Sequence, residues 1–110
     1  MLALSRFRVR PEDEAAFRAD VAEALRVLGA RPGFVAGHVG RSTDDPGLWL
    51  LSTEWTGAGA YRRALSSYDV KVRATSLFHR AEQEGGAFEL VETLRPETEA
   101  TDAPADAREG

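Results

Sequence analysis

The residue types that could bind or transform a small organic molecule cluster in the middle of the chain. Trp55 ends the apolar run 48–55, and Tyr61 begins a helical pattern six residues later. An indole ring can stack on a planar ligand, and a phenol can hydrogen-bond a substrate oxygen. Large aromatic side chains at a strand end also fill protein cores, so packing is the competing interpretation for Trp55. The Tyr61 hydroxyl, at a helix start, could instead simply meet water.

Two histidines are the candidates for proton transfer, because imidazole side chains titrate near neutral pH. His79 lies at the polar end of the second predicted helix, where a cation also stabilises the helix dipole, so a structural role competes with general-base catalysis. His38 shares a strand face with Phe34 and Ala36, which favours a core or interface role. Two histidines without a paired motif, in a chain without cysteine, predict no metal site.

Three further polar side chains have both a functional and a structural interpretation. Arg73 could neutralise a phenolate or carboxylate, or it could pair with acids on a helix surface. Ser5 lies on the same face of the first strand as Phe7, where it either borders a pocket or bonds only to backbone. Tyr68 either packs or faces a ligand. The sequence contains no Gly-Xaa-Ser-Xaa-Gly motif, so no serine nucleophile is predicted.

Hydrophobic periodicity predicts the elements that must position these residues. Strand-like runs cover residues 2–10, 34–41, 48–55 and 88–95, and helical patterns cover 12–28 and 60–84, with a break near 66–67. The second helix has an apolar stripe formed by Tyr61, Leu65, Tyr68 and Val72. Gly29 is the predicted C-terminal cap of the first helix. The order strand, helix, strand, strand, helix, strand indicates an α+β, ferredoxin-like βαββαβ domain with a four-stranded antiparallel sheet.

The predicted sheet is apolar on both of its faces. Leu50 in the third strand points away from Leu51, and Leu4 in the first strand points away from Phe7. Two helices cover only one face, and an open apolar face of this size would associate with another surface. We therefore expect a two-fold homodimer through the sheet face.

Composition restricts the class of protein. The chain has 110 residues, which indicates one domain, at residues 1–96, followed by an acidic tail at 97–110 that is predicted to be disordered. The tail carries five acids and one arginine, so residues 1–96 keep 13 acids (18 − 5) and 13 bases (14 − 1). A neutral body without a basic patch argues against nucleic acid as a partner.

No apolar run approaches the roughly 20 residues of a membrane helix, and the start lacks the apolar stretch of a signal peptide. These absences predict no membrane partner and a cytoplasmic location. The lack of cysteine excludes disulfides and thiolate chemistry.

Four short motifs follow one another along the chain. An Arg31-Pro32-Gly33-Phe34 turn precedes an Asp44-Asp45-Pro46 hairpin, and Glu54-Trp55 is followed by Ala60-Tyr61. Over about residues 2–95 this pattern resembles the antibiotic biosynthesis monooxygenase family. The resemblance implies that two sheets pack as a dimeric α/β barrel. It also implies an oxygenase that needs no metal, flavin or haem, in which an aromatic, polyketide-like substrate is deprotonated between sheet and helices and the anion reacts with oxygen.

The resemblance also implies the residues of a site. Trp55 and Tyr61 match the aromatic pair of family oxygenases. From residue chemistry rather than from the resemblance, His79 is the third candidate catalytic residue, and His79 or Arg73 would assist proton or anion handling. The expected ligand-binding residues are Ser5, Phe7, Leu51, Leu65, Tyr68 and Arg73. At Leu51 the chain departs from the family, because such oxygenases can carry an asparagine four residues before the tryptophan, and this chain lacks that amide.

Two other functions compete with the oxygenase. The first is a non-catalytic domain that binds a small molecule or a partner on the same dimeric scaffold, since one fold hosts many functions. The second is a haem-binding protein with His79 or His38 as axial ligand. Haem degradation is not expected, because the asparagine and histidine of the haem-degrading branch align with Ser5 and with Ala64 or Ala74.

Overall fold

Four strands form one antiparallel sheet in the order β2-β3-β1-β4. The computed structural model describes residues 1–96, so the predicted disorder of 97–110 falls outside the described residues. The elements are β1 Leu2–Arg8, a 3-10 turn Pro11–Asp13, α1 Glu14–Gly29, β2 Phe34–Arg41, β3 Leu48–Trp55, α2 Ala58–Ser66, α3 Tyr68–Arg73, α4 Thr75–Phe78 and β4 Gly86–Phe88. This arrangement confirms the predicted α+β, ferredoxin-like class, with β1 ending earlier and α1 starting later than predicted.

Strict alternation along the two central strands separates the core from the outer sheet face. β1 pairs with β3 so that Ser5 lies opposite Leu51 and Phe7 lies opposite Trp49. Phe7 and Leu51 are buried beneath the helices, whereas Leu50 is 37% exposed on the other face. The predicted two-faced apolar pattern of these strands is therefore confirmed.

Helix α1 buries one apolar stripe against this sheet and is followed by a tight turn. The stripe is formed by Phe17, Val21, Ala24, Val27 and Leu28. The predicted glycine cap at Gly29 is wrong, because Gly29 is the last residue of α1 and has no positive φ. In the following turn, Gly33 has a positive φ of 89°. A Cβ atom at Gly33 would lie 2.5 Å from the Cβ of Ala60, so this turn holds β2 close to the start of α2.

The second helical region is broken into three short helices, and the break predicted near residues 66–67 is confirmed. The backbone of Ser67 is extended, with φ −71° and ψ 153°. Because this residue interrupts the helix, the side chains of α3 do not continue the apolar stripe of α2. The predicted stripe is wrong beyond this point, because Tyr68 and Val72 are 78% and 58% exposed. Val70, Ala74 and Leu77 are buried instead.

The last strand is shorter and earlier than predicted. The helical pattern ends at Phe78 rather than near residue 84, and the strand predicted at 88–95 is replaced by β4 at Gly86–Phe88. The Glu82 amide donates to the Arg6 carbonyl at 2.7 Å. This bond brings the chain beside β1 before the predicted start of the last strand at residue 88. Pairing then begins at Gly86 opposite Leu4 and ends at Phe88 opposite Leu2, close to the start of β1.

Candidate functional site

A pocket of about 330 Å³ lies between β1 and the three short helices. It is lined by Ser5 of β1, Tyr61 and Leu65 of α2, Val70 of α3, Thr75 and Phe78 of α4, and His79 and Ala81 of the following turn. The structure thus brings together four predicted site residues: Ser5, Tyr61, Leu65 and His79. Their place between sheet and helices is where the predicted site lies.

Two backbone breaks curve the helices around this pocket. At the first, the Ser67 hydroxyl donates to the Ala64 carbonyl at 2.7 Å and accepts from the Val70 amide at 3.4 Å, which caps the start of α3. The second break is at Ala74, with φ −126°. Because each break redirects the chain, α2, α3 and α4 all contribute a lining residue.

Tyr61 supplies a phenol whose protonation is biased by its surroundings. The side chain is half-buried, and burial raises the pKa of the Tyr61 hydroxyl above the ordinary value of 10.0. Desolvation disfavours the phenolate, so the group stays protonated at neutral pH. A protonated phenol donates a hydrogen bond, and Tyr61 can therefore stabilise an anionic oxygen in the pocket.

Trp55 lies behind Tyr61 rather than in the pocket wall. Its side chain is only 1% exposed, and its ring centroid lies 5.7 Å from that of Tyr61. Phe34 contacts the indole edge-on at 5.2 Å, and the indole N–H donates to the Thr53 hydroxyl at 2.9 Å. Trp55 therefore has no spare donor for a ligand and acts on the pocket by holding the Tyr61 ring.

The other predicted ligand-binding residues lie outside this pocket. Phe7 and Leu51 are each 2% exposed in the core, and Phe7 packs on Phe17 at 5.2 Å. Tyr68 projects from the exposed side of α3 because of the break at Ser67. The Arg73 guanidinium lies 3.5 Å from the Glu23 carboxylate, toward α1.

Sequence reasoning missed Thr53 and four lining residues: Val70, Thr75, Phe78 and Ala81. Thr53 shares strand parity with Leu51 and Trp55, so alternation alone could have placed it beside the indole. Thr75, whose hydroxyl donates to the Val70 carbonyl at 3.4 Å, reaches the pocket only because of the break at Ala74. No periodic signal marks that second break.

The two histidines lie on different sides of the sheet. His79 lines the pocket, whereas His38 pairs with Ser52 on the outer face, so the two cannot serve one bound molecule within the chain. Over residues 1–96, no group of three or more His, Cys, Asp or Glu side chains is arranged to hold a metal ion. No helix in the same part of the chain is long and apolar enough to cross a membrane.

Comparison with known proteins now identifies the family. The model of the family described as antibiotic biosynthesis monooxygenase matches residues 1–75, which include all of β1 to α3. The chain belongs to the antibiotic biosynthesis monooxygenase family. The match covers five of the lining residues of the pocket, Ser5, Tyr61, Leu65, Val70 and Thr75, whereas Phe78, His79 and Ala81 lie beyond it. No curated protein matches the chain.

Several solved structures share the fold of this chain. SnoaB, a cofactor-independent oxygenase from Streptomyces nogalater, is 28% identical with a TM-score of 0.75, over 86% of this chain and 96% of that one. A protein from Deinococcus radiodurans assigned as an antibiotic biosynthesis monooxygenase is 18% identical with a TM-score of 0.72, over 87% and 97% of the two chains. A conserved protein from Methanosarcina mazei is 17% identical with a TM-score of 0.65, over 76% and 83%. The last two likenesses concern the fold alone.

Proposed function

We propose that the protein is a cofactor-independent monooxygenase that oxidises an electron-rich aromatic small molecule. One observation carries this proposal: the pocket combines the protonated Tyr61 hydroxyl and the His79 imidazole with apolar walls from Leu65, Val70 and Phe78. Family membership and the likeness to SnoaB, a cofactor-independent oxygenase, support the same chemistry.

The pocket offers one group for each requirement of such a reaction. His79 accepts a proton from the substrate, and Tyr61 donates a hydrogen bond to the oxygen on which negative charge develops. The anion then supplies the electrons that reduce dioxygen. One oxygen atom enters the substrate and the other leaves as water with two substrate hydrogens, so no external reductant is needed.

Trp55 has a positioning role in this scheme. It contacts Tyr61 but does not line the pocket, and its N–H is bonded to Thr53. Replacing its ring would let the Tyr61 phenol shift from the position in which it meets the oxyanion, and such small displacements reduce rates strongly. Trp55→Phe alone should therefore reduce turnover, and a Tyr61→Phe/Trp55→Phe double variant that kept full turnover would remove both residues from the mechanism.

The decisive experiment measures oxygen consumption with a panel of polycyclic phenols and follows ¹⁸O₂ into the product. We expect a product that contains one labelled oxygen and has two hydrogens fewer than the substrate. His79→Ala should abolish the uptake, whereas Tyr68→Phe, at a side chain that is 78% exposed and outside the pocket, should leave it unchanged. Full turnover by His79→Ala would remove this residue from the mechanism.

A non-catalytic binding domain is the second candidate, and the position of Leu51 favours it. This residue stands where family oxygenases can carry an asparagine, and its side chain is 2% exposed in the core. The pocket then lacks an amide donor for the oxyanion. Phenols that bind in the pocket without any oxygen uptake would support this function over the oxygenase.

We also propose that the protein is a homodimer through the outer sheet face. Five apolar side chains lie on that face: Leu2, Leu4, Leu48, Leu50 and Phe88. Leu50 and Phe88 are 37% and 48% exposed, and the face includes a depression of about 420 Å³ lined by Leu4, Leu48 and Leu50. A second copy would remove this apolar surface from water on both molecules.

A further inference from the structure

The histidine that accepts the proton in the proposed reaction lies in a segment with little buried surface. His79 is the first residue after α4, a helix of only four residues. Residues 79–85, here called the connecting segment, belong to no helix or strand. Ala81 is partly buried, whereas the other residues of the connecting segment are exposed. Apolar packing therefore contributes little to the position of His79, and polar contacts must contribute more.

Cavities lie on both sides of the connecting segment next to His79. His79 and Ala81 line the candidate pocket of about 330 Å³. Arg80, which stands between them in the sequence, lines a second cavity of about 210 Å³ together with Phe17 of α1. Close packing on both sides is what normally fixes a side chain in one position. Because each side of this wall faces a cavity, packing alone does not fix the wall formed by residues 79–81.

One ion pair joins this wall to the longest helix of the described residues. The Arg80 guanidinium donates from Nη2 to the Asp20 carboxylate at 2.9 Å, and Asp20 lies on α1. Further along the connecting segment, the Glu82 amide donates to the Arg6 carbonyl of β1 at 2.7 Å. The backbone bond of Glu82 fixes the far end of the wall to the sheet. The ion pair of Arg80 fixes the end that carries His79 to α1.

We propose that Asp20 is a positioning residue for proton transfer, because through Arg80 it holds the His79 imidazole in the wall of the pocket. The inference rests on the proposed function, in which this imidazole accepts the substrate proton. Asp20 does not line the pocket, so it acts only through Arg80. The side chains of Asp20 and Arg80 are 54% and 53% exposed. Salt therefore screens the pair, and its effect on the rate is moderate.

The mobility of the His79 ring tests this role without any substrate. The chain has two histidines, so two imidazole Cε1–H signals are expected in its NMR spectrum, and His79→Ala assigns them. In Asp20→Asn the ¹³C order parameter of the His79 ring should fall, because the wall loses its contact with α1. The order parameter of His38, on the outer sheet face, should stay at its wild-type value. An unchanged order parameter of His79 in Asp20→Asn would overturn the positioning role.

Turnover gives a second measurement. Asp20→Asn and Arg80→Gln should each reduce kcat for phenol-dependent oxygen uptake about two- to fivefold, with KM within about twofold of wild type. The expected loss is in kcat because proton transfer, rather than substrate binding, depends on where the imidazole lies. The charge-swapped variant Asp20→Arg/Arg80→Asp should regain most of the lost rate, which a general loss of stability would not allow. Added sodium chloride should lower kcat of the wild type more than kcat of Asp20→Asn.

Glu14→Gln is the matched control. Glu14 also lies on α1, and its carboxylate accepts from the Arg41 guanidinium of β2 at 3.3 Å, so this variant removes another exposed ion pair of the same helix. Both the His79 order parameter and kcat should stay at wild-type values. A loss as large as that in Asp20→Asn would overturn the specific role of Asp20. A wild-type protein that turns over no phenol would contradict the proposed function, whereas the order parameters would still decide the positioning role.

Discussion

At the scale of single residues, the pocket depends on a phenol and the indole behind it. Tyr61 lines the pocket and Trp55 holds its ring at 5.7 Å, while Thr53 occupies the indole N–H. The chemistry assigned to the pair by resemblance is therefore divided between them. In the proposed reaction, Tyr61 meets the ligand and Trp55 acts through Tyr61.

Tyr61→Phe should reduce the catalytic rate by about 10²-fold, since it removes one oxyanion donor while preserving the ring contact with Trp55. The measurement is kcat for oxygen uptake with a phenol that the wild-type protein turns over. Tyr68→Phe is the matched control, because Tyr68 is 78% exposed and lies outside the pocket. An unchanged kcat in Tyr61→Phe would exclude the hydroxyl from catalysis.

Alkaline pH should destabilise the protein through Tyr61. Burial raises the pKa of the folded Tyr61 hydroxyl, so the unfolded chain loses this proton first. The contribution of the protonated Tyr61 hydroxyl to the free energy of unfolding is fully present below the unfolded pKa of about 10. That contribution is lost as pH rises from there through the folded pKa. Urea unfolding at a series of pH values should show a smaller alkaline loss of unfolding free energy in Tyr61→Phe than in wild type. Equal losses would contradict the assignment.

At the scale of elements, the alternation of side chains along the strands could be predicted from the sequence, whereas the geometry after each helix break could not. Strand order and the two faces of β1 and β3 followed from local pattern, because a period of two needs no tertiary information. The position of β4 could not be predicted in this way. It depends on the Glu82–Arg6 backbone hydrogen bond and on the residue at which β1 begins. Both involve contacts between residues that are far apart in the sequence.

The same distinction applies to the pocket. Ser5, Tyr61, Leu65 and His79 were predicted and lie together. Tyr68 was placed by continuing one helical stripe, and the break at Ser67 turned it outward. Local patterns predict which residues share an unbroken element, whereas the rotation after a break depends on what the next helix buries.

The turn between α1 and β2 gives a prediction at this scale. Gly33→Ala should lower the free energy of unfolding by about 2–4 kcal/mol, because it combines a positive φ with an overlap against Ala60. Gly29→Ala is the control. It meets Phe34 only at 3.6 Å, so the unfolding free energy should stay within about 1 kcal/mol of wild type. Urea denaturation of both variants measures the difference, and equal losses would contradict the turn geometry.

At the scale of the whole molecule, the outer sheet face should decide the state of assembly. Leu4→Asp should weaken dimerisation by at least about 10²-fold, because Leu4 lies opposite Ser52 and Gly86 on the outer face and each dimer would bury two carboxylates there. Sedimentation equilibrium measures the dissociation constant, and Val72→Asp on α3 controls for a general effect of surface charge. A variant that dimerises like wild type would show that another surface joins the copies.

The surroundings of the two tryptophans also give the molecule an optical reporter. Trp55 contacts a wall of the pocket, whereas Trp49 lies under α1 with the guanidinium groups of Arg18 and Arg41 at 5.2 and 5.0 Å from its ring. Trp49→Phe leaves a single indole, whose emission responds to what happens at Tyr61. Quenching of that fluorescence by added phenols would report occupancy of the pocket directly, independently of whether the occupant is ever oxidised.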